Sequence, residues 1–123
     1  MKHSIFIALP LFLFMNYLAV STSLAMFVDT ASMLIVLGGA IAFALCGSGD
    51  WLSMSRLNNA AEGAVIAGWL GALYGSVMIL SAIDDRSLHE WMGSASAVMM
   101  LTVIYGYFFK ALCRIVILAR HSE

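Results

Sequence analysis

The residues of this chain that could bind or move a cation are few, and they stand at the edges of its apolar stretches. Asp29, Glu62, Asp84, Asp85 and Glu90 all fall at the ends of apolar segments or in the loops between them. A carboxylate in the middle of an apolar span is the usual mark of a proton relay or ion site, so the chain carries no such relay of its own. His3, His89 and His121 are scattered, with no second ligand at helical spacing. Cys46 and Cys113 form no CxxC pair and no Cys/His cluster with metal spacing, and both read as packing residues. The mid-segment hydroxyls of Ser76, Ser94, Ser96 and Thr102 remain. Each is expected to bond its own backbone carbonyl one turn back, unless several converge on one face to make a polar path. There is no GxSxG, no phosphate-cradling glycine loop, no HExxH and no carboxylate pair in a cleft. The pattern excludes familiar soluble enzymology, and no cofactor is expected.

Positioning such groups falls to long apolar helices. Of 123 residues 63% are hydrophobic and 11% charged, and mean hydropathy is +0.97. Ordinary globular domains are about 45 to 50% apolar, so the composition is that of a membrane protein. The net charge of −1 gives no reason to expect a nucleic-acid partner. A helix needs about 20 mostly apolar residues to cross a bilayer, and residues 5–24, 27–46, 64–83 and 92–109 each meet that length. The first is the weakest, because Asn16 and the Ser21, Thr22, Ser23 cluster interrupt it. Lys2, the apolar run and the small residues around Ser23 to Ala25 also fit a cleavable signal sequence; a retained span is the reading adopted. Pro10 inside that span is tolerable where neighbouring helices re-satisfy the backbone.

The expected fold is an all-α integral membrane protein of four transmembrane helices arranged as two hairpins, residues 1–46 and 64–123, joined by a short cytoplasmic linker at 47–63, "GSGDWLSMSRLNNAAEG". With both termini inside, Lys2, Arg56, Lys110, Arg114 and Arg120 lie on the cytoplasmic side and only Arg86 outside, as the distribution of basic residues across membranes requires. Asp29, Asp84, Asp85 and Glu90 then mark the outer turns, with Asp85 or Ser87 a candidate N-cap for the fourth span. Trp51, Trp69, Trp91, Tyr17 and Tyr107 near span ends suit interfacial anchors. The tail "KALCRIVILARHSE" is expected to continue the last helix into the inner headgroups, its basic side chains reaching anionic lipid.

The third span carries the most regular pattern. Gly63, Ala67, Gly71 and Gly75 recur every four residues, with Gly68, Ala72 and Ser76 in a second row beside them. Small residues at that spacing let another helix backbone approach, which is how helices associate where lipid supplies no hydrophobic drive.

Two stretches resemble the flagellar stator A subunits, the MotA and PomA family within the wider MotA/TolQ/ExbB proton-channel superfamily. "FVDTASMLIVLGGAIAFAL", residues 27–45, is similar to that family's second span, F-I-D-x-P-S-L-L-I-V-x-G-G-T. Residues 68–106, "GWLGALYGSVMILSAIDDRSLHEWMGSASAVMMLTVIYG", resemble its third and fourth spans, with the outer L-D-D-P turn and the closing T-x-x-Y-G. Both lie in the family's order and together cover just under half of the chain. The resemblance implies a ring of about five such subunits around single-span B subunits that carry the ion-binding aspartate, coupling proton or sodium flow to work. It implies residence in the bacterial inner membrane as a multi-pass protein. Ser76, Thr102 and Tyr105 become pore-lining candidates, and Gly63, Ala67, Gly71 and Gly75 the helix-packing row between subunits.

The departures are specific. Residues 47–63 stand where the family inserts a large cytoplasmic domain. Val65 and Val116 stand where it has prolines, and Val103 replaces the second threonine of its span-four pair. The leading expectation is a stator-like channel subunit around a partner helix. The alternatives are a non-conducting membrane scaffold or accessory subunit, and a small transporter or lipid-binding membrane protein.

Overall fold

The computed structural model describes residues 2–21, 24–81 and 88–121, and these are all helical or connecting turns. They form four α-helices: α1 (Lys2–Val20), α2 (Thr30–Leu45), α3 (Met54–Ser81) and α4 (Leu88–His121), with a single 3-10 turn at Leu24–Phe27 before α2. The expected outer turn at residues 84–87 lies outside the described residues, as do Thr22 and Ser23 and the side chains of His3, His89, Glu90, Trp91 and His121.

Two of the helices are long and apolar enough to cross a membrane, over Met54–Ser81 and Met92–Arg120. At 1.5 Å per residue, α3 and α4 reach about 42 and 51 Å, more than the roughly 30 Å hydrocarbon core. The apolar parts of the other two, Ile5–Val20 and Thr30–Leu45, are shorter. Each measures about 24 Å.

The helix boundaries differ from the sequence expectation at two places, both set by capping. Helix α2 begins at Thr30 rather than at 27, because Asp29 adopts an extended conformation and its carboxylate accepts the Ser32 N–H at 2.8 Å. Its carbonyl then takes the first intrahelical bond, from the Met33 N–H at 3.0 Å. Helix α3 begins at Met54, ten residues ahead of the expected 64, so more than half of the expected linker is helix. Ser53 caps it, its Oγ accepting the Arg56 N–H at 3.3 Å and its carbonyl the Leu57 N–H at 3.0 Å. The polar sequence of this first part holds no helix breaker, and Ala60 and Ala61 are buried in it. The true connection is a tight turn around Gly49, whose φ of +87° is the left-handed conformation glycine accepts without strain. Arg56 fastens that turn, donating from Nε to the Gly49 carbonyl at 2.9 Å with its guanidinium 5.0 Å from the Trp51 ring centre. At the far end of α4, Arg120 donates to the Leu52 carbonyl.

Helices α2, α3 and α4 pack as one unit, and α1 leans mainly on α4. The core of that unit is built from small side chains, Val36, Ala40, Ala60 and Ala64, with Ala44, Tyr105 and Phe109 packed around them. Small cores mean close axes, and the glycines show how close. A Cβ on Gly63 would lie 2.5 Å from the Gly39 carbonyl oxygen, and one on Gly39 would lie 2.8 Å from the Gly63 oxygen. A Cβ on Gly68 would meet the Thr102 oxygen at 2.6 Å, and one on Gly106 the Ala64 oxygen at 2.7 Å. These are backbone-on-backbone contacts at both the α2–α3 and the α3–α4 crossing. In contrast α1 keeps Phe6, Ile7, Met15 and Leu18 more than half exposed, and touches α4 through the Phe12–Phe108 ring pair at 5.5 Å between centroids.

Candidate functional site

The predicted glycine row does not stay on one face. Four residues turn an α-helix by about 400°, so a row spaced by four drifts about 40° at each step. Gly63 and Ala67 therefore face α2, at Gly39 and Phe43, Gly71 sits between Thr102 of α4 and Ile35 of α2, and Gly75 faces α4 at Met99. Gly68 of the second row meets the Thr102 backbone, and Gly68 and Ala72 are both buried. Both rows are occupied by contacts within one chain.

The three pore-lining candidates are also engaged inside the chain. Thr102 is 3% exposed, its Oγ1 donating to the Met99 carbonyl at 2.6 Å and its methyl lying 3.2 Å from where a Cβ on Gly71 would stand. Ser76 Oγ donates to the Ala72 carbonyl at 2.9 Å, with Met99 Sδ at 3.6 Å. Ser96 likewise bonds the Met92 carbonyl at 2.8 Å. Each hydroxyl thus meets a carbonyl one turn back, as short polar side chains in apolar helices do.

Tyr105 makes the most consequential bonds. Its hydroxyl donates to the Phe27 carbonyl and accepts the Asp29 N–H at 3.1 Å. Both groups belong to the chain entering α2, where the carbonyl and the amide have no intrahelical partner. Ser32 adds a long bond, Oγ to the Val98 carbonyl at 3.5 Å. One phenol of α4 therefore fixes where α2 begins and how its first turn meets α4. Asp29 stands just before α2, and the hydrogen bonds from Ser32, side chain first and backbone second, hold its carboxyl below the usual carboxylate range.

Further along α4, Glu62 and Lys110 form an ion pair at 2.7 Å between α3 and α4, with both side chains partly exposed. The sequence places Glu62 at the edge of an apolar segment and Lys110 in the basic tail, with nothing to pair them. Their sequence separation gives no periodic signal, and only the α3–α4 crossing brings them together. Among the described residues no three His, Cys, Asp or Glu side chains gather where they could hold a metal.

A cleft of about 550 Å³ opens between α1 and the α2–α4 face, walled by Leu13 and Tyr17 of α1, Met33 and Leu37 of α2, and Ile104 and Phe108 of α4. Asn16 also borders it, but its amide donates to the Phe12 carbonyl at 2.8 Å, and the hydroxyl of Tyr105 is taken up at the entrance to α2. Chemically the arrangement offers shape and hydrocarbon contact, with no nucleophile, base or ligand set. In comparisons with family models, with curated proteins and with solved structures, the chain matches none.

Proposed function

We propose that the chain is a framework subunit of a membrane assembly, similar in design to the stator A subunits but furnishing no ion site of its own. The observation that carries this reading is the engagement of Ser76, Thr102 and Tyr105 inside the fold, which leaves apolar side chains such as Leu73, Val77, Met100 and Ile104 on the open faces of α3 and α4. The resemblance supports the framework part. Phe27, Asp29, Ser32, Gly39, Tyr105 and Gly106, all within the stator-like stretches, are residues through which α2, α3 and α4 hold one another. In this proposal the chain spans the bacterial inner membrane four times with both termini inside. It forms a ring, and any titratable group needed for proton or sodium coupling comes from a single-span partner.

A second reading keeps the chain itself in the conducting path, with Ser76, Thr102 and Tyr105 lining it once neighbouring copies assemble. The ordered resemblance favours it. The two are separated by extracting the complex gently from its native membrane, measuring its mass and composition, and then reconstituting it for ion flux. A ring of about five copies holding an acid-bearing single-span chain supports the stator-like design. Flux that survives Thr102→Val and Ser76→Ala supports the framework reading, and flux that collapses in both supports the conducting one. A complex that is monomeric and free of any second chain removes both.

A further inference from the structure

We infer that the outer seam between α3 and α4, toward the C-terminal end of α4, is a binding site for one anionic phospholipid, held by Tyr107, Lys110 and Arg114. This goes beyond the framework reading and holds whether or not the assembly conducts. It rests only on the chain lying in a bilayer.

The sequence alone makes the basic residues of this region equivalent, and their partners separate them. Arg56 gives its Nε to the Gly49 carbonyl and lays its guanidinium against Trp51, and Arg120 donates to the Leu52 carbonyl. Lys110 is paired with Glu62 at 2.7 Å and stays partly exposed. Arg114 is exposed and has no partner among the described residues. Lys110 and Arg114 are one turn apart on one face of α4, and Tyr107 stands on the same face one turn earlier. The Tyr107 hydroxyl accepts the Trp69 indole N–H at 3.4 Å, and its own proton is given to no described residue. Both rings are about half exposed. On α3, Glu62 and Trp69 are seven residues apart and share a face, so the ion pair and the aromatic pair bridge the two helices on the same side of the seam.

The order of groups along the seam selects the occupant. From Arg114 back to Tyr107 is seven residues, about 10 Å, which covers a headgroup layer of roughly 5 to 7 Å and the ester level beneath it. The guanidinium comes first, the ammonium next, then the phenol and indole, and beyond them the exposed Leu73 and Met100. A phospholipid presents phosphate, ester carbonyls and hydrocarbon in the same order. An acidic peptide would match only the cations and leave the aromatic pair and Leu73 uncovered. Charge narrows the headgroup. One carboxylate, Glu62, against two cations, Lys110 and Arg114, leaves the seam a single positive charge, the complement of one phosphate diester. The extra ammonium of phosphatidylethanolamine would stand beside Lys110 and Arg114 with Glu62 already paired, so an anionic headgroup such as phosphatidylglycerol is preferred.

The test uses the full chain in vesicles of equal phosphatidylethanolamine and phosphatidylglycerol, extracted into mild detergent and weighed intact. The wild type is expected to keep one phosphatidylglycerol per chain in preference to phosphatidylethanolamine. Arg114→Gln is expected to lower the retained phosphatidylglycerol about fivefold, the effect of one basic residue at an anionic surface, and Arg114→Lys to restore it. Arg120→Gln removes the same charge six residues further on, about 240° around α4 from Arg114, and is expected to leave retention unchanged. That contrast separates a site from the general attraction of a basic tail to an anionic surface, which would lower both alike. As a second measurement, Trp51→Phe with Trp91→Phe leaves Trp69 as the only indole. Its fluorescence in the vesicles is expected to be quenched more by brominated phosphatidylglycerol than by brominated phosphatidylethanolamine, and the difference to vanish with Arg114→Gln. Equal losses in Arg114→Gln and Arg120→Gln, a wild type that keeps both lipids equally or keeps none, or equal quenching of Trp69 by the two would each overturn the proposal.

Discussion

Gly38 and Gly39 are neighbours in the sequence and opposites in the fold. A Cβ on Gly38 has nothing within 4 Å, whereas one on Gly39 would lie 2.8 Å from the Gly63 carbonyl oxygen and collide with the Cβ of Ala67. The obstruction is backbone and a rigid methyl, so neither can swing aside, and α2 must move away from α3. Overpacking of that kind costs about 1 to 3 kcal/mol. The better helix propensity of alanine offsets at most about 1 kcal/mol of it. For Gly38→Ala only the propensity gain operates, giving a change between zero and about 1 kcal/mol of added stability. The two variants are therefore expected to differ by about 2 kcal/mol, a roughly 30-fold difference in the folded-to-unfolded ratio. Reversible unfolding in mixed detergent micelles, followed by helical circular dichroism, measures that difference. Equal stabilities, or Gly39→Ala the more stable of the pair, would refute the α2–α3 contact as drawn.

Four further substitutions probe other joints. Gly68→Ala and Gly75→Ala both add a methyl toward α4, but the first meets the Thr102 backbone and the second the flexible side chain of Met99. The same unfolding assay should find Gly68→Ala destabilised by about 1 to 3 kcal/mol and Gly75→Ala within about 1 kcal/mol of the wild type. Tyr105→Phe removes the phenol that serves the Phe27 carbonyl and the Asp29 N–H, which should cost about 1 to 3 kcal/mol and speed hydrogen exchange at the Asp29 amide more than at amides in the middle of α3. Unchanged exchange at Asp29 would sever the proposed link between α4 and the start of α2. The carboxyl of Asp29 titrates lower in the folded chain than in the unfolded one, so its contribution is fully present above the ordinary carboxylate value of about 4 and fades as pH falls through the lowered folded value. The cap itself is worth about 0.5 to 2 kcal/mol. The acid-side loss of thermal stability should therefore shrink in Asp29→Asn, and an unaltered pH profile would assign that loss to other groups.

Composition and periodicity were enough to establish apolar helices, because transfer into an apolar medium and the 3.6-residue repeat are both properties of local sequence. They located four helical segments, anticipated that the basic tail would prolong the last one, and identified small residues in the third as contact positions. Asp29 as an N-cap and Ser53 ahead of a polar but unbroken helical stretch were written in the sequence as well. Overlooking them misplaced the starts of α2 and α3. The partner of each glycine was not legible. A row spaced by four rotates about 40° per step, so which neighbour faces Gly63 and which faces Gly75 depends on where α2 and α4 lie around α3. The destination of the Tyr105 hydroxyl was hidden for a similar reason. It bonds residues 78 and 76 positions away, a proximity that exists only once α2 and α4 have packed. The same holds for Glu62 with Lys110 and for the cleft beside α1. Sequence dictated which surfaces were small, apolar or capped, since those are properties of residues and short runs. Tertiary structure alone decided which surfaces meet, since that depends on the crossing of helices whose contacts are far apart along the chain.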